Sequence, residues 1–323
     1  MAPGEPGGRA NGCGGEALRV CIVGCGAVGS LFAAHLAQVD GVEVWAYDVV
    51  TEHVEAINSH GLRLVGEAHL TGQVRARTDA AQLPPCDFGI VATKSMYTRA
   101  AIEQAAHAFG AGAVASVQNG VGNEEVIAEH VQRVIRGTTF PAGRVLEPGL
   151  VQMDTRGDTW LGPFEPQPAA LEEVRRLAEA ITAGGMNTHA LADARSAQWT
   201  KLIFNAATNP IGALTRLTHG RVCELPQTRE LVSQLVAEGC AVADALGITL
   251  DSDPDELVDH AAQVAYEHRA SMLQDVLSQR VTEVDALNGG IVRFGEQHGV
   301  PTPLNRAIAA LIKGLEHSFE QPR

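Results

Sequence analysis

A short apolar run, Leu18-Arg-Val-Cys-Ile-Val, passes directly into Gly24-Cys25-Gly26-Ala27-Val28-Gly29 and then into Ser-Leu-Phe-Ala-Ala-His-Leu. No other segment restricts the fold of the chain as much. The β-branched run reads as a strand and the alanine- and leucine-rich run as a helix, joined by a turn with glycines in the pattern GxGxxG. The three glycines have separate tasks: Gly24 permits a tight turn, Gly26 lets a pyrophosphate approach the backbone, and Gly29 lets the helix pack closely on the strand. The free N–H groups of the helix N-terminus then face the phosphates. A Gly-rich turn also occurs in α/β proteins that bind no phosphate, so the surroundings have to support the reading. A second strand, Val42-Glu-Val-Trp-Ala-Tyr, ends in Asp48, 19 residues beyond Gly29. A carboxylate there can take both ribose hydroxyls of a dinucleotide, although aspartate also simply ends strands.

Further α/β units follow. Asp87-Phe-Gly-Ile-Val-Ala-Thr reads as a buried strand with Lys94 at its end, and 95–109 has a helical pattern. Ligands of open parallel sheets gather outside the carboxyl ends of the strands, so Lys94 is a candidate for cofactor phosphate or ribose; an exposed loop lysine is the competing reading. The next strand, Ala113-Val-Ala-Ser-Val, delivers Gln118-Asn119-Gly120-Val-Gly122 to the same edge. Asn119 there is either a contact for nicotinamide or substrate, or part of an ordinary Asn-Gly turn. Residues 133–163 alternate β-rich pieces with turns and are expected to complete the same sheet. A helix over 168–183 and a short segment at 187–191 come next. Beyond Ala194 the β signal stops, and helical patterns cover 225–246, 255–267, 284–298 and 304–319. The fold class is therefore α/β, an N-terminal Rossmann-type doubly wound sheet followed by an all-helical C-terminal domain. The expected division is a disordered tail at 1–17, a dinucleotide-binding domain at 18–190 and a helical substrate or dimerisation domain at 191–323.

Composition narrows the partners. Acidic residues outnumber basic ones 38 to 24, and the net charge of −14 opposes binding to nucleic acid or to anionic lipid. No run reaches the roughly 18 apolar residues of a membrane helix, and the glycine-rich start lacks the basic residues of a signal peptide. Six cysteines without metal spacing suit reduced thiols, hence a cytoplasmic protein. No metal is expected: there is no H-E-x-x-H, and His260 and His268, though placed on one helix face, have no further ligand.

The helical half contains a polar face. Lys201, Asn205 and Asn209 interrupt the apolar segment 199–210 at steps of four, so they share one side of a helix. If that side is buried, each unpartnered amide costs about 1–3 kcal/mol, which a substrate with several oxygens would relieve. A solvated face or a satisfied helix junction remains the alternative. Downstream, Ser271 opens a helix, either as an N-cap or as a carboxylate ligand. Glu283 begins an apolar-periodic helix, and Asn288-Gly289-Gly290 within that pattern implies close packing against a large neighbour.

Taken together, the Gly24–Gly29 turn, Thr93-Lys94, Gln118-Asn119-Gly120-Val-Gly122, Lys201-Leu-Ile-Phe-Asn205-Ala-Ala-Thr-Asn209-Pro210, Ser271-Met-Leu-Gln-Asp275, Thr282-Glu283-Val-Asp and Gly299-Val-Pro-Thr-Pro303 occur in an order that resembles the ketopantoate reductase (2-dehydropantoate 2-reductase) family, over about residues 18–316. The resemblance implies NAD(P)H-dependent reduction of 2-dehydropantoate to pantoate, the precursor of pantothenate and coenzyme A. It implies Lys201 as proton donor, with Glu283 organising substrate and nicotinamide. Asn119, Asn205, Asn209 and Ser271 would hold the substrate. Gly24, Cys25, Gly26, Ala27, Val28, Gly29, Lys94, Asn119, Ala142 and Glu283 would line the cofactor.

Two departures qualify it. Members that use NADPH usually carry a basic residue just after the second strand, whereas this chain has Tyr47-Asp48-Val49-Val50, whose carboxylate repels a 2′-phosphate and favours NAD(H) over NADP(H). His219 and His268 stand where some members have substrate-binding asparagines. Reduction of another branched or aryl 2-oxo acid is thus an alternative, and a non-catalytic dinucleotide sensor is a third. The apolar helical half is compatible with a homodimer.

Overall fold

The computed structural model describes residues 17–320, so the expected tail lies, but for Ala17, outside the described residues. The β-branched run forms β1 (Leu18–Val23), the glycine turn leads into α1 (Ala27–Leu36), and β2 (Val42–Tyr47) and α2 (Thr51–His60) follow. Three short strands come next, β3 (Leu62–Gly66), β4 (Leu70–Gly72) and β5 (Arg75–Arg77). Then β6 (Phe88–Val91) leads through a 3₁₀ turn into α3 (Thr98–Ala105), and β7 (Ala113–Ser116) into α4 (Asn123–Ala128). The first half ends with β8 (Val134–Thr139), β9 (Ala142–Glu147), β10 (Leu150–Thr155), β11 (Thr159–Pro163), α5 (Leu171–Ala183) and β12 (Thr188–Ala190).

The main sheet has the order β12-β11-β8-β7-β6-β1-β2-β5. Its neighbours are parallel except for the antiparallel pair β11 and β8. The chain runs outward from β1 to β2 on one side and returns to β6 on the other, so strand order reverses between β1 and β6. Ligands of such sheets bind in the crevice at that reversal.

Residues 133–163 do not all complete this sheet, contrary to expectation. β9 and β10 leave it and form a second, four-stranded sheet, β4-β3-β10-β9, in which β10 runs parallel to β3 with Leu150 opposite Arg63. Such pairing between distant segments gives no local signal. This small sheet lies close on α1: a Cβ on Gly72 would come within 2.8 Å of Ala34 Cα.

The second half consists of α6 (Arg195–Thr215), α7 (His219–Glu224), α8 (Pro226–Ala245), α9 (Pro254–Val264), α10 (Ser271–Leu277), α11 (Asn288–His298) and α12 (Pro303–His317). Among the described residues, no helix is long and apolar enough to cross a membrane. α6 is the axis of this half, with Trp199, Leu202, Ile203, Ala206 and Ile211 in its apolar core. Pro210 lies inside α6 and has no N–H to give the carbonyl four residues earlier. The Asn288 amide donates to that Ala206 carbonyl at 2.8 Å and to Asn305 Oδ1 at 2.9 Å. Asn288 is thus the first residue of α11, not an interruption within it. Gly290 supplies the expected close approach, since a Cβ there would lie 2.6 Å from Val121 Cγ2.

The two halves also meet at Glu124, at the start of α4. Its buried carboxylate accepts from Gln198 Nε2 of α6 at 2.6 Å. Burial pushes its pKa up from 4.5 to about 7, opposed by the Arg136 guanidinium and reinforced by Glu125. Between these two values the folded chain keeps a proton that the unfolded chain has released. Stability from this group is therefore full below the unfolded value and is lost as pH rises through about 7. Glu124→Gln keeps an acceptor for Gln198 without the charge. Its melting temperature is expected to exceed the parent's at pH 8, by the equivalent of about 1–3 kcal/mol, with the gap closing towards pH 5. A gap that does not change with pH would refute this account.

Candidate active site

The glycine turn has the geometry its residues dictate. Gly24 sits at φ +89°, and a Cβ there would meet Thr93 Cγ2 at 2.5 Å, so the turns after β1 and β6 touch. A Cβ on Gly29 would stand 2.0 Å from the Gly24 carbonyl, which forces glycine where α1 crosses the turn. Gly26 is the opposite case: nothing lies within 4 Å of its Cβ position. The first turn of α1 has no acidic residue and no side-chain cap, and Gly26, Ala27 and Val28 are half-exposed. Open backbone in front of uncapped N–H groups fits a pyrophosphate. Cys25 does not face that opening. Its thiol is fully buried 3.6 Å from the Ser30 hydroxyl, and burial pushes its pKa up to about 12.

Asp48 closes the turn from the end of β2. Oδ2 accepts from Cys25 N at 2.8 Å and Oδ1 from Val50 N at 2.9 Å. A carboxylate has about four acceptor positions, so two neutral donors leave room for ribose hydroxyls and leave the charge in place. Val49 beside it is 75% exposed.

Lys94 extends from the end of β6 towards the helical half rather than standing free in a loop. Nζ donates to Asp275 Oδ2 at 2.6 Å and lies 3.7 Å from Glu283 Oε2. Desolvation lowers its pKa, but Glu283 and Asp275 together more than offset this, so the net direction is upward and Lys94 stays charged. Glu283 is 7% exposed and reaches back to the sheet-bearing half: Oε1 accepts from Ser95 N at 3.1 Å and Oε2 from Asn119 Nδ2 at 3.2 Å. The other side of the Asn119 amide, Oδ1, accepts from Lys201 Nζ at 2.8 Å. Lys201 also donates to the Thr139 carbonyl at 2.5 Å and lies over the Phe140 ring, 5.4 Å from its centre. Burial pulls its pKa down from 10.5 to about 8, with Glu283 pulling the other way. Lys201, Asn119 and Glu283 therefore form one connected chain, the amide between the two charges.

Asn205 and Asn209 lie one and two turns beyond Lys201 on the same side of α6, at 9% and 4% exposure. Asn205 makes no side-chain hydrogen bond to a described residue. Asn209 has only a long contact, 3.4 Å, from the Thr208 hydroxyl. Two nearly buried amides that share one long hydrogen bond among the described residues, beside a half-buried ammonium, are costly unless something polar joins them.

Other placements differ from expectation. Ser271 is already helical; Ala270, extended at ψ 148°, is the residue before the helix, and the Ser271 side chain is exposed. Ala270 abuts Gly212, one turn past Asn209, which places Ser271 near that end of the α6 face. Glu283 does not begin a helix: α11 starts only at Asn288, so the carboxylate sits on the turn before it. Ala142 lies two residues past Phe140 at the start of β9, with no polar side-chain group of its own. His268 falls beyond the end of α9, so it shares no helix face with His260. It stacks instead on His219, 5.3 Å between centres, and His219 on Phe204 at 5.8 Å. Burial lowers the pKa of both histidines, His219 to about 4, with His268 adding to that shift.

Sequence reasoning missed the Thr139 carbonyl, Phe140 and the pairing of Lys94 with Asp275. A main-chain acceptor has no signature in side-chain identity. The Gly137-Thr-Thr-Phe-Pro segment reads only as a strand end.

Comparison with known proteins agrees over most of the length. The family model described as ketopantoate reductase PanE/ApbA matches residues 20–166, and its C-terminal counterpart matches 193–316. The 2-dehydropantoate 2-reductase of Pyrococcus abyssi (strain GE5 / Orsay) is 34% identical over 301 residues, covering 93% of this chain and 98% of that one. A PanE/ApbA family ketopantoate reductase from Ralstonia eutropha JMP134 superposes with a TM-score of 0.85 at 30% identity, over 94% of this chain and all of that one. D-mandelate dehydrogenase in a ternary structure with NADH and anilino(oxo)acetate superposes equally well, TM-score 0.85, at 25% identity and the same coverage.

Proposed function

Because the chain belongs to the ketopantoate reductase PanE/ApbA family, we propose that it reduces 2-dehydropantoate to pantoate where α6 meets the loops after β6 and β7. It is an oxidoreductase that uses a nicotinamide dinucleotide. The observation that carries the reading is the chain Lys201–Asn119–Glu283, with the nearly buried amides of Asn205 and Asn209, which have only one long hydrogen bond between them among the described residues, on the same side of α6 as Lys201.

A bound nicotinamide supplies the hydride. The protein must then meet the charge that develops on the substrate's keto oxygen. Lys201 is suited to this because burial loosens its proton: at about 8 it is still mostly protonated at neutral pH and is a far better donor than an ordinary lysine. Glu283 keeps that proton from leaving too early, and Asn119 fixes the separation of the two charges. Asn205 and Asn209 orient the 2-oxo acid, with Ser271 beyond them. Since reduction consumes a proton from Lys201, kcat for reduction is expected to be flat below about 8 and to fall with rising pH above it. A pH profile flat through pH 10 would remove Lys201 from this role.

For the cofactor, the uncompensated carboxylate of Asp48 and the exposed valines after it support NADH over NADPH. Asp48→Ala is expected to weaken NADH about tenfold and NADPH little or not at all, measured by fluorescence titration, because the lost ribose contacts are offset for NADPH by lost repulsion. Equal effects on the two would make Asp48 a bystander. We place the protein in the cytoplasm, where the five described cysteines remain free thiols.

A second reading concerns the substrate alone. The column of Phe204, His219 and His268 is neutral and flat, and suits an aryl 2-oxo acid as well as a branched one. Oxidation of NADH or NADPH, followed at the nicotinamide absorbance band with 2-dehydropantoate and a panel of aryl and branched 2-oxo acids, decides between them. No turnover of any of these would overturn the enzymatic assignment.

A further inference from the structure

Glu283 sits on the irregular segment between α10 and α11, so no helix fixes its direction. Its flanking residues do. Just before it, Thr282 donates twice to one oxygen, Glu316 Oε1, from N at 2.8 Å and from Oγ1 at 2.6 Å, while Oγ1 accepts from Val284 N at 3.2 Å. Two residues after it, Asp285 accepts from Lys313 Nζ at 2.9 Å, and Lys313 also lies 3.2 Å from Glu316 Oε2. Glu316 and Lys313 are both on α12, the last helix, one turn apart. The Lys313–Asp285 pair is exposed and contributes little. Glu316 is 8% exposed and Thr282 1%, and hydrogen bonds from buried donors to a carboxylate are about twice as strong as neutral ones.

We propose that Glu316 is a positioning residue for Glu283: by holding Thr282 from α12 it aims the Glu283 carboxylate at Asn119, and so tunes the proton affinity of Lys201. None of this requires Glu316 to touch substrate or cofactor. Its kinetic consequence rests on the reductase reading given above, but the geometry does not.

The charged groups involved are few. Lys201 faces Asn119, the Thr139 carbonyl and the Phe140 ring, all neutral. Glu283 faces Lys94, Ser95 N and Asn119, and Lys94 in turn faces Asp275, which Arg280 also approaches at 3.4 Å. Glu316 faces Thr282 and Lys313. Loss of aim at Glu283 therefore has one direction of effect, a weaker hold on the Lys201 proton.

The test is the pH dependence of Lys201 acetylation by acetic anhydride, read by mass spectrometry on the full chain, which needs no turnover. Glu283→Gln is expected to lower the Lys201 midpoint. Glu316→Ala and Thr282→Val should lower it part of the way, by roughly 0.5 unit, about a threefold change in the ratio of protonated to free amine at a given pH. Glu316→Gln keeps the acceptor oxygen and should restore a midpoint close to the parent's. A midpoint unmoved in both Glu316→Ala and Thr282→Val, or moved equally by Glu316→Gln and Glu316→Ala, overturns the proposal. If Glu316→Ala does not fold, Thr282→Val carries the test. A parent chain that reduces no 2-oxo acid yet shows these shifts sinks the proposed reaction and leaves this inference standing.

Discussion

Replacing Lys201 by alanine is expected to lower kcat roughly 10³-fold or more, with the equilibrium affinity for NADH changed by less than about twofold. The asymmetry follows from where the lysine sits. Its ammonium bonds Asn119 Oδ1 and the Thr139 carbonyl, away from the open backbone of Gly26 and from Asp48. On the proposed reading, removing it leaves the glycine turn and Asp48 unchanged and takes away the proposed proton donor. Lys201→Arg should fail almost as badly, since a guanidinium does not release its proton near neutral pH, and its planar fork does not match two acceptors placed for a single nitrogen. Single-turnover absorbance at the nicotinamide band and a fluorescence titration of NADH separate the two quantities. Turnover within tenfold of the parent would remove Lys201 from proton transfer. A parallel loss of NADH binding would mean that it supports the cofactor instead.

How much of this was legible beforehand depends on how local each constraint is. The glycine turn was legible because φ at Gly24, contact at Gly29 and open space at Gly26 are all fixed within a dozen residues of chain. The side of α6 that carries Lys201, Asn205 and Asn209 was legible for the same reason, since helical periodicity needs only the segment itself. The partners of those residues were not. Asn119 reaches Lys201 across 82 residues and Glu283 across 164, and Lys94 reaches Asp275 across 181. Nothing in a short window records such pairings. Lys94 is an example: its place at a strand end made it a candidate for cofactor phosphate or ribose, and gave no sign of the two buried carboxylates of the helical half that it pairs with. The second sheet escaped notice because β3 and β10 pair in parallel across most of the first half. The start of α11 was misplaced because the apolar spacing of Val284 and Leu287 imitates a helix over a turn. The Ala206 carbonyl that Pro210 leaves without a helical donor is likewise met from far along the chain, by Asn288.

The loop carrying Asn119 and the turn carrying Glu283 meet at Gly120, where the second large effect is expected. Gly120 has φ +84°, and a Cβ there would lie 2.5 Å from the Ala286 carbonyl oxygen and 2.7 Å from both its carbonyl carbon and its Cβ. Val121 N donates to that same Ala286 oxygen at 3.1 Å, so the two backbones are already joined. Gly120→Ala must push them apart, because no flexible side-chain end is available to give way. The 3.2 Å bond between Asn119 Nδ2 and Glu283 Oε2 cannot survive a shift of an ångström. Turnover is therefore expected to fall by about 10²-fold, comparable to small misplacements of positioning residues elsewhere. Stability should fall by about 2–4 kcal/mol, part from the left-handed conformation and part from the clash. Gly41→Ala separates these two parts. Gly41 has nearly the same φ, +81°, with nothing within 4 Å of its Cβ position. It bears the conformational penalty alone, about 1 kcal/mol, and should turn over like the parent. Thermal melts and steady-state rates of the two variants side by side make the comparison. If Gly120→Ala behaves like Gly41→Ala in both, the contact between these backbones does not set the geometry of Asn119 and Glu283.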